Sequence, residues 1–367
     1  MTCAIVPPYL LSRLASLSDP DLAPVAAAAR ASLALDQPFR SIRTGEYPGT
    51  PPATRRRSQL TARTLEDPHR TISDAENTET LPGRVVREEG DAETPDDSVT
   101  EAYDGLGSTH RLFREVYERA SIDDNNHPLD ATVHFGVDYD NAFWDGERMV
   151  FGDGDGIVFT RMTRSLSVIA HELAHGVTQY TVNLEYQGQS GALNESVSDV
   201  FGALVEQHSL GQSVDEASWL IGVGIFTDAV EGEALRSLKA PGTAYNDDVL
   251  GKDPQPAHMH DYIVTSDDNG GVHLNSGIPN RAFYLTAESL GGNAWERAGR
   301  IWYDTITDGE LESTATFSDF ASATVRAASA RFGNDSEEVA AVIAGWDGVG
   351  VTVANGAGVA TETETSS

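Results

Sequence analysis

The stretch Val168-Ile169-Ala170-His171-Glu172-Leu173-Ala174-His175-Gly176-Val177 carries the spacing H-E-x-x-H. On a helix that turns about 100° per residue, His171 and His175 stand one turn apart and about 40° from each other around the axis. Glu172 falls within the same arc, so two imidazoles and a carboxylate leave one face. That face suits a divalent zinc held by two histidines, with the glutamate beside an activated water. Leu166, Ile169, Ala170, Leu173, Val177 and Tyr180 recur at helical spacing on the other side and are expected to pack into a core. Taken alone, the pattern also admits a weaker reading, two surface histidines on an amphipathic helix.

Working outward, a catalytic zinc needs three protein ligands and one open position. Gly191-Ala192-Leu193-Asn194-Glu195-Ser196-Val197-Ser198-Asp199 offers the third, since Glu195 lies twenty residues beyond His175. Glu195 and Asp199 are one helical turn apart and share a face. One carboxylate for the metal and a second to orient a histidine N–H is a recurrent arrangement. A lone Glu-x-x-x-Asp is ordinarily a solvated helix face; its distance from His175 favours the metal.

The chain of 367 residues exceeds what one compact core usually holds, so two lobes are expected. No apolar run reaches the length of a membrane span. Residues 1–17 show neither a basic leader nor a continuous apolar segment, so no standard secretion signal is readable there. Acidic residues outnumber basic ones 57 to 25, for a formal charge of −32. That balance argues against a basic nucleic-acid footprint. Only Lys239 and Lys252 are lysines. A field of this strength repels itself at low salt and is relieved by screening, which suggests adaptation to high salt; an ordinary acidic secreted enzyme is the alternative. Cys3 is the single cysteine, so a disulfide framework is excluded.

Along the chain, the apolar segment Ile5-Val6-Pro7-Pro8-Tyr9-Leu10-Leu11 precedes an alanine-rich stretch, Asp21 to Leu35, that reads as helix. From Ser41 to about Arg70 the composition turns to Pro, Thr, Gly and Arg, including Arg55-Arg56-Arg57, which reads as an exposed linker open to cutting. Between Thr71 and Gly156 the signals are mostly strand and turn, with short alternating runs at Arg84–Arg87 and Ala131–Phe135. One helix is expected around Ser108 to Arg119, and Gly152-Asp153-Gly154-Asp155-Gly156 reads as a turn. After Ser165 the character is helical. Leu193, Val197, Val200, Phe201, Leu204 and Val205 form one apolar stripe, Phe320, Val325 and Ala328 another, and Gly291-Gly292, Gly309 and Gly333-Asn334 break the later helices. His134, His208, His258 and His260 have no motif around them and read as structural or surface residues.

Together, Asn141-Ala142-Phe143-Trp144, the H-E-x-x-H stretch, Gly191 to Asp199, and Asp268-Asn269-Gly270-Gly271-Val272-His273-Leu274-Asn275-Ser276-Gly277-Ile278 resemble the thermolysin family of zinc endopeptidases over roughly residues 75 to 352. Pro7-Pro8-Tyr9-Leu10 resembles the short propeptides of that family's protealysin-like branch. The resemblance implies an α+β, two-lobed fold: a β-rich N-terminal lobe, an α-helical C-terminal lobe, and the zinc-binding helix at their junction. It divides the chain into a propeptide (1–45), a linker with the processing site (46–72), lobes over 73–181 and 182–352, and a disordered acidic tail (353–367).

Carried over by position, the resemblance implies His171, His175 and Glu195 as ligands of one catalytic zinc, and Glu172 as the base that takes a proton from water. Tyr186 and His273 correspond to the groups that stabilise the oxyanion, with Asp268 orienting His273. Asn194 and Asp199 hold the zinc histidines. Arg236 binds the substrate carbonyl beyond the scissile bond, and Asn141-Ala142 forms an edge strand that pairs with an extended peptide. Phe159, Val168 and Leu235 correspond to the apolar pocket for the residue after the cut. Where the family places an aspartate for paired calcium ions, this chain has Ser167, and Glu206 alone makes no cage of six to eight oxygens, so the double calcium site looks incomplete.

The expected activity is endopeptidase action on peptides and proteins by a monomer that is inhibited by its own propeptide, with no membrane or nucleic-acid partner. The resemblance also implies secretion, with a cytoplasmic precursor as the alternative. A catalytically dead binding fold would have lost Glu172, Glu195 or His273, and all three are present. An aminopeptidase would need an acidic motif for the free amine, and none is found. For the leading segment, two readings stand: docking of the apolar anchor in the cleft, or a Cys3 thiolate on the open zinc position.

Overall fold

The structure is a computed structural model that describes residues 3–43 and 67–353. The Arg55–Arg57 run, most of the expected linker and nearly all of the expected tail lie outside the described residues, as does the Cys3 side chain on which the thiolate reading depends. The chain opens with a two-residue strand, β1 (Cys3–Ala4), followed by α1 (Pro8–Ala15) and α2 (Ala23–Arg43). Prolines 7 and 8 fit this start. Pro8 occupies the first helical position, where no N–H is needed, and the Pro7 carbonyl accepts from Leu10 and Leu11 N–H. Leu10, Leu11 and Leu14 are buried by α1. The expected helix from Asp21 to Leu35 is present and runs on to Arg43.

Next come β2 (Arg70–Asp74), β3 (Arg84–Glu88), α3 (Asp97–Glu115), β4 (Leu129–Val133), β5 (Ala142–Trp144) and β6 (Met149–Phe151). They form a six-stranded sheet in the order β1-β5-β6-β4-β2-β3, parallel where β4 meets β2 and β6 and antiparallel elsewhere. Strand β2 starts before residue 73, where the N-terminal lobe was expected to begin. Helix α3 begins eleven residues earlier than the expected Ser108. Asp96 caps it by accepting from Val99 N–H, and Gly105 and Gly107 obscured its first turns in the sequence. Gly105 is there for proximity: a Cβ would lie 2.5 Å from Ile169 of the next helix.

The remainder is dominated by helices: α4 (Leu166–Gln179), α5 (Gly188–Leu210), α6 (Asp268–Asn275), α7 (Gly277–Leu290), α8 (Ala298–Thr307), α9 (Phe317–Phe332) and α10 (Glu337–Asp347). Two small strand pairs interrupt them, β7 (Leu220–Ile221) with β8 (Arg236–Ser237), and β9 (Asn246–Asp247) with β10 (Gly251–Lys252). The α+β, two-lobed expectation holds, with the sheet in the first half and helices in the second. One detail is corrected. Helix α4 is not amphipathic against solvent: every residue from Ser167 to Thr178 is buried, while Tyr180, just past its end, is partly exposed. The histidine face is covered by α5. The two helices approach closely at Gly202, where a Cβ would stand 2.8 Å from the Ser167 carbonyl. The α5 stripe Leu193–Val205 is buried throughout.

Candidate metal centre and cleft

Helix α4 presents His171, Glu172 and His175, and α5 presents Asn194, Glu195 and Asp199, all fully buried. The Nε2 atoms of His171 and His175 are 3.0 Å apart. Glu195 brings Oε2 to 3.5 Å from His171 Nε2 and Oε1 to 3.6 Å from His175 Nε2. Ligands about 2.0–2.1 Å from a tetrahedral ion stand roughly 3.3 Å from each other, so the triad already has the edge lengths of one face. His171 Nδ1 lies 2.8 Å from Asp199 Oδ1, and His175 Nδ1 lies 2.8 Å from Asn194 Oδ1. Those acceptors place the protons on Nδ1. Both Nε2 lone pairs then face each other at 3.0 Å, which is repulsive without a cation between them. The residues fit zinc.

Asp199 is also bound by Arg236, whose Nε and Nη2 donate at 2.9 and 2.8 Å, and by Asn280 Nδ2 at 2.8 Å. Burial alone would raise the Asp199 carboxyl, but the Arg236 guanidinium overrides it and holds it well below the usual carboxylate range. Glu172 is positioned by a backbone donor: Trp144 N–H, on β5, donates to its Oε2 at 2.9 Å.

Across the triad, Tyr186 OH bonds to Glu195 Oε1 and lies 3.3 Å from His273 Nε2. His273 Nδ1 is 2.7 Å from Asp268 Oδ1, and the other Asp268 oxygen accepts His273 N–H at 2.9 Å. This double grip requires the backbone at Asp268–Gly271 to run left-handed at the start of α6. Burial would lower the His273 pKa; the Asp268 and Glu195 carboxylates raise it overall, favouring an N–H donor toward the centre.

The cleft is filled by the chain's own leading residues. Strand β1 pairs antiparallel with β5, setting Ala4 opposite Phe143. Ile5 N–H donates to the Ala142 carbonyl at 3.0 Å, and Val6 N–H donates to Asn141 Oδ1 at 2.8 Å while Asn141 Nδ2 donates to the Val6 carbonyl at 3.2 Å. Arg236 Nη1 donates to the Ile5 carbonyl at 3.0 Å. Ile5 and Val6 have no exposed surface and share one continuous apolar cluster with Phe159, Val168 and Leu235. Thus His171, His175 and Glu195 come together at the centre, with Asn194, Asp199, Tyr186, His273 and Asp268 linked to them by hydrogen bonds, Asn141, Ala142 and Arg236 hold the leading strand, and Phe159, Val168 and Leu235 are buried in the apolar cluster. Sequence reasoning missed Ser198, whose Oγ lies 3.0 Å from His175 Nδ1, along with Asn280, the Trp144 amide, and Ser32 and Asp36 of α2. Asp36 accepts from Tyr139 OH at 2.6 Å and from Asn141 Nδ2 at 3.0 Å. His134 is structural, as expected, stapling Asp96 to Asp153 at 2.9 and 2.8 Å.

Two histidines and a glutamate from adjacent helices, with a second buried glutamate beside them, define a zinc metallopeptidase centre. Comparison with known families agrees. A profile described as thermolysin metallopeptidase, catalytic domain, matches residues 43–179, and one described as thermolysin metallopeptidase, alpha-helical domain, matches residues 182–351. The chain belongs to the thermolysin metallopeptidase family and is a zinc-dependent neutral endopeptidase made as a precursor. It is 46% identical over 351 residues to the extracellular metalloprotease of Pectobacterium carotovorum subsp. carotovorum, covering 96% of this chain and 97% of that one. It is 51% identical over 287 residues to protease PrtS of a Photorhabdus species, covering 78% and 77%. Among solved structures, the precursor of protealysin, a metalloproteinase from Serratia proteamaculans, superposes with a TM-score of 0.84 at 47% identity, covering 95% of this chain and all of that one.

Proposed function

We propose that residues 1–45 act as a built-in inhibitor and that the enzyme cuts peptides ahead of bulky apolar residues. Within this reading His171, His175 and Glu195 hold the zinc. When bound, zinc supplies the Lewis acidity that makes water nucleophilic near neutral pH. Glu172 takes the proton from that water, and Tyr186 and His273, oriented by Asp268, donate to the carbonyl oxygen as negative charge develops there. Asn141, Ala142 and Arg236 bind substrate main chain as an added strand, which explains broad action with little side-chain demand. Phe159, Val168 and Leu235 form the pocket that follows the cut. The observation carrying the proposal is the seating of Ala4-Ile5-Val6, whose backbone groups meet the residues assigned to substrate.

The expected processing bond lies in the linker over 46–72. Secretion is supported by the extracellular name of the Pectobacterium relative, a monomer is the state expected, and the strong negative charge supports adaptation to salt. The test is a processed, zinc-loaded preparation assayed on casein and on amino-acid anilides. Casein should be cleaved before Leu, Phe, Ile and Val, the anilides should stay intact, and a chelator should abolish activity. Casein cuts placed mainly before charged residues would refute the pocket assignment.

A further inference from the structure

The leading residues do more than obstruct the cleft, because they lie in it in a definite direction and register. Counting outward from the centre, the Ala4 carbonyl oxygen is 3.0 Å from His273 Nε2, which is itself 3.5 Å from Glu195 Oε2 and 3.3 Å from Tyr186 OH. The next amide, Ile5 N–H, is held by the Ala142 carbonyl, the next carbonyl by Arg236, and the following amide by Asn141. Every backbone group from the Ala4 carbonyl to the Val6 carbonyl therefore meets the partner a cleavable peptide would meet, in the order a cleavable peptide would meet it. The geometry points to the Ala4–Ile5 amide as a self-cleavage site of the precursor. This rests on the roles proposed above for His273 and Arg236.

The chemistry balances with water as the only co-reactant. Water oxygen adds to the Ala4 carbonyl carbon as Glu172 takes its proton. The carbonyl oxygen carries the displaced electron pair, facing His273 Nε2, beside which Tyr186 OH stands. When that pair returns, the C–N bond breaks, Glu172 passes its proton to the leaving nitrogen, and the second water proton, shed by the new carboxyl group, follows it. The products are a carboxylate on Ala4 and an ammonium group on Ile5. Ile5 suits the position after the cut, being apolar and fully buried in the apolar cluster that also includes Phe159, Val168 and Leu235.

Cutting here does not release the inhibitor, because its grip lies on the far side of the bond. Arg13 of α1 donates from Nε and Nη2 to the carbonyls of Val249 and Asp248, at 2.9 and 2.7 Å, in the C-terminal lobe. On α2, Ser32 Oγ accepts Asp140 N–H at 2.9 Å and Asp36 holds Tyr139 and Asn141, on the sheet side. Arg30 Nη1 donates to the Ala15 carbonyl at 2.7 Å and ties the two helices together. Of the described residues before the bond, Cys3 and Ala4 pair only with β5 and the Ala4 carbonyl meets His273, so the short fragment leaves; residues from Ile5 onward stay as a bound product.

The full-length chain is loaded with zinc and followed by intact mass and N-terminal sequencing at several concentrations. A species beginning at Ile5 is expected, formed at a rate independent of concentration and still inactive on casein until the linker is cut. Glu172→Gln should not form it, and Ile5→Asp should suppress it. A zinc-loaded, unprocessed chain that keeps residue 1, 2, 3 or 4 at its N-terminus indefinitely overturns the proposal, even if linker-cut enzyme digests casein normally. Failure of casein digestion as well would overturn the enzyme reading instead. Independently of turnover, amide exchange in full-length Glu172→Gln, with and without zinc, should find Ile5 and Val6 protected, and Asn141→Ala should free Val6. Rapid exchange at both amides in the unsubstituted site would show the register to be wrong.

Discussion

Asp199 governs two neighbours at once, since it orients the zinc ligand His171 and neutralises the buried Arg236. Asp199→Asn removes the charge while keeping the shape. Zinc affinity should fall about 10–100-fold, as for other partners of metal-bound histidines. Competition with a chromogenic chelator measures this, and an unchanged affinity would show that His171 needs no carboxylate. Glu172→Gln, by contrast, should retain zinc and lose about 10²–10⁴-fold in turnover. A second buried carboxylate, Asp140, has the opposite electrostatics. Burial, with Asp155 adding to it, pushes its pKa up to about 8. The native state thus holds a proton that the unfolded chain releases from about pH 4 upward, and stability falls as pH rises across that window. Asp140→Asn, in the Glu172→Gln background to prevent self-digestion, should raise the melting temperature by more at pH 8 than at pH 5. A difference that stays constant with pH would contradict the neutral carboxyl. His134 adds to the alkaline loss. The Asp153 carboxylate raises its pKa to about 9, against burial, with Asp96 assisting, so its staple is fully formed below about pH 6.5 and lost as pH passes 9.

At the scale of elements, two contacts build the site. One is the crossing of α4 and α5, where Gly202 admits the Ser167 backbone and brings His171 toward Glu195. Gly202→Ala forces these helices apart and should cost about 1–3 kcal/mol of stability, with weaker zinc binding. Denaturant unfolding, with and without added zinc, checks both effects; a variant as stable as the parent would mean the crossing has room to spare. The other is the edge of β5. Without β1 its outer backbone groups would face an open cleft, and the same edge fixes Glu172 through the Trp144 amide. In the proposed function, substrate and base are both registered against this one short strand, so small shifts of β5 would misplace both together.

At the scale of the molecule, the α1–α2 hairpin spans the cleft and fastens to both lobes, through Arg13 on one side and Ser32 and Asp36 on the other. The charge of −32 is spread over a chain with 25 basic residues. The Debye length falls from about 10 Å at 0.1 M salt to about 3 Å at 1 M. Repulsion among exposed carboxylates should fade over that range, and the melting temperature should climb by several degrees in both KCl and NaCl. A melting curve indifferent to salt would remove the case for halophilic adaptation.

The sequence determined His171, Glu172 and His175 by itself, because helical periodicity fixes residues one turn apart without any help from the rest of the chain. Glu195 and Asp199 were legible for the same reason, once the first pair suggested a metal. Helix α3 was misjudged at its start because Gly105 answers to Ile169 of another helix and Gly107 to the Arg70 side chain of β2, which local pattern cannot reveal. Only the tertiary structure decided the remaining connections. Arg236 reaches Asp199 across 37 residues, Asn280 across 81, and the Trp144 amide reaches Glu172 across 28. The Ala4 carbonyl meets His273 across 269. Two of these four contacts use backbone atoms, which are identical in every residue and leave no mark in composition or spacing. Their partners are chosen by strand pairing and helix packing, and those exist only after the two lobes and the leading segment have folded together.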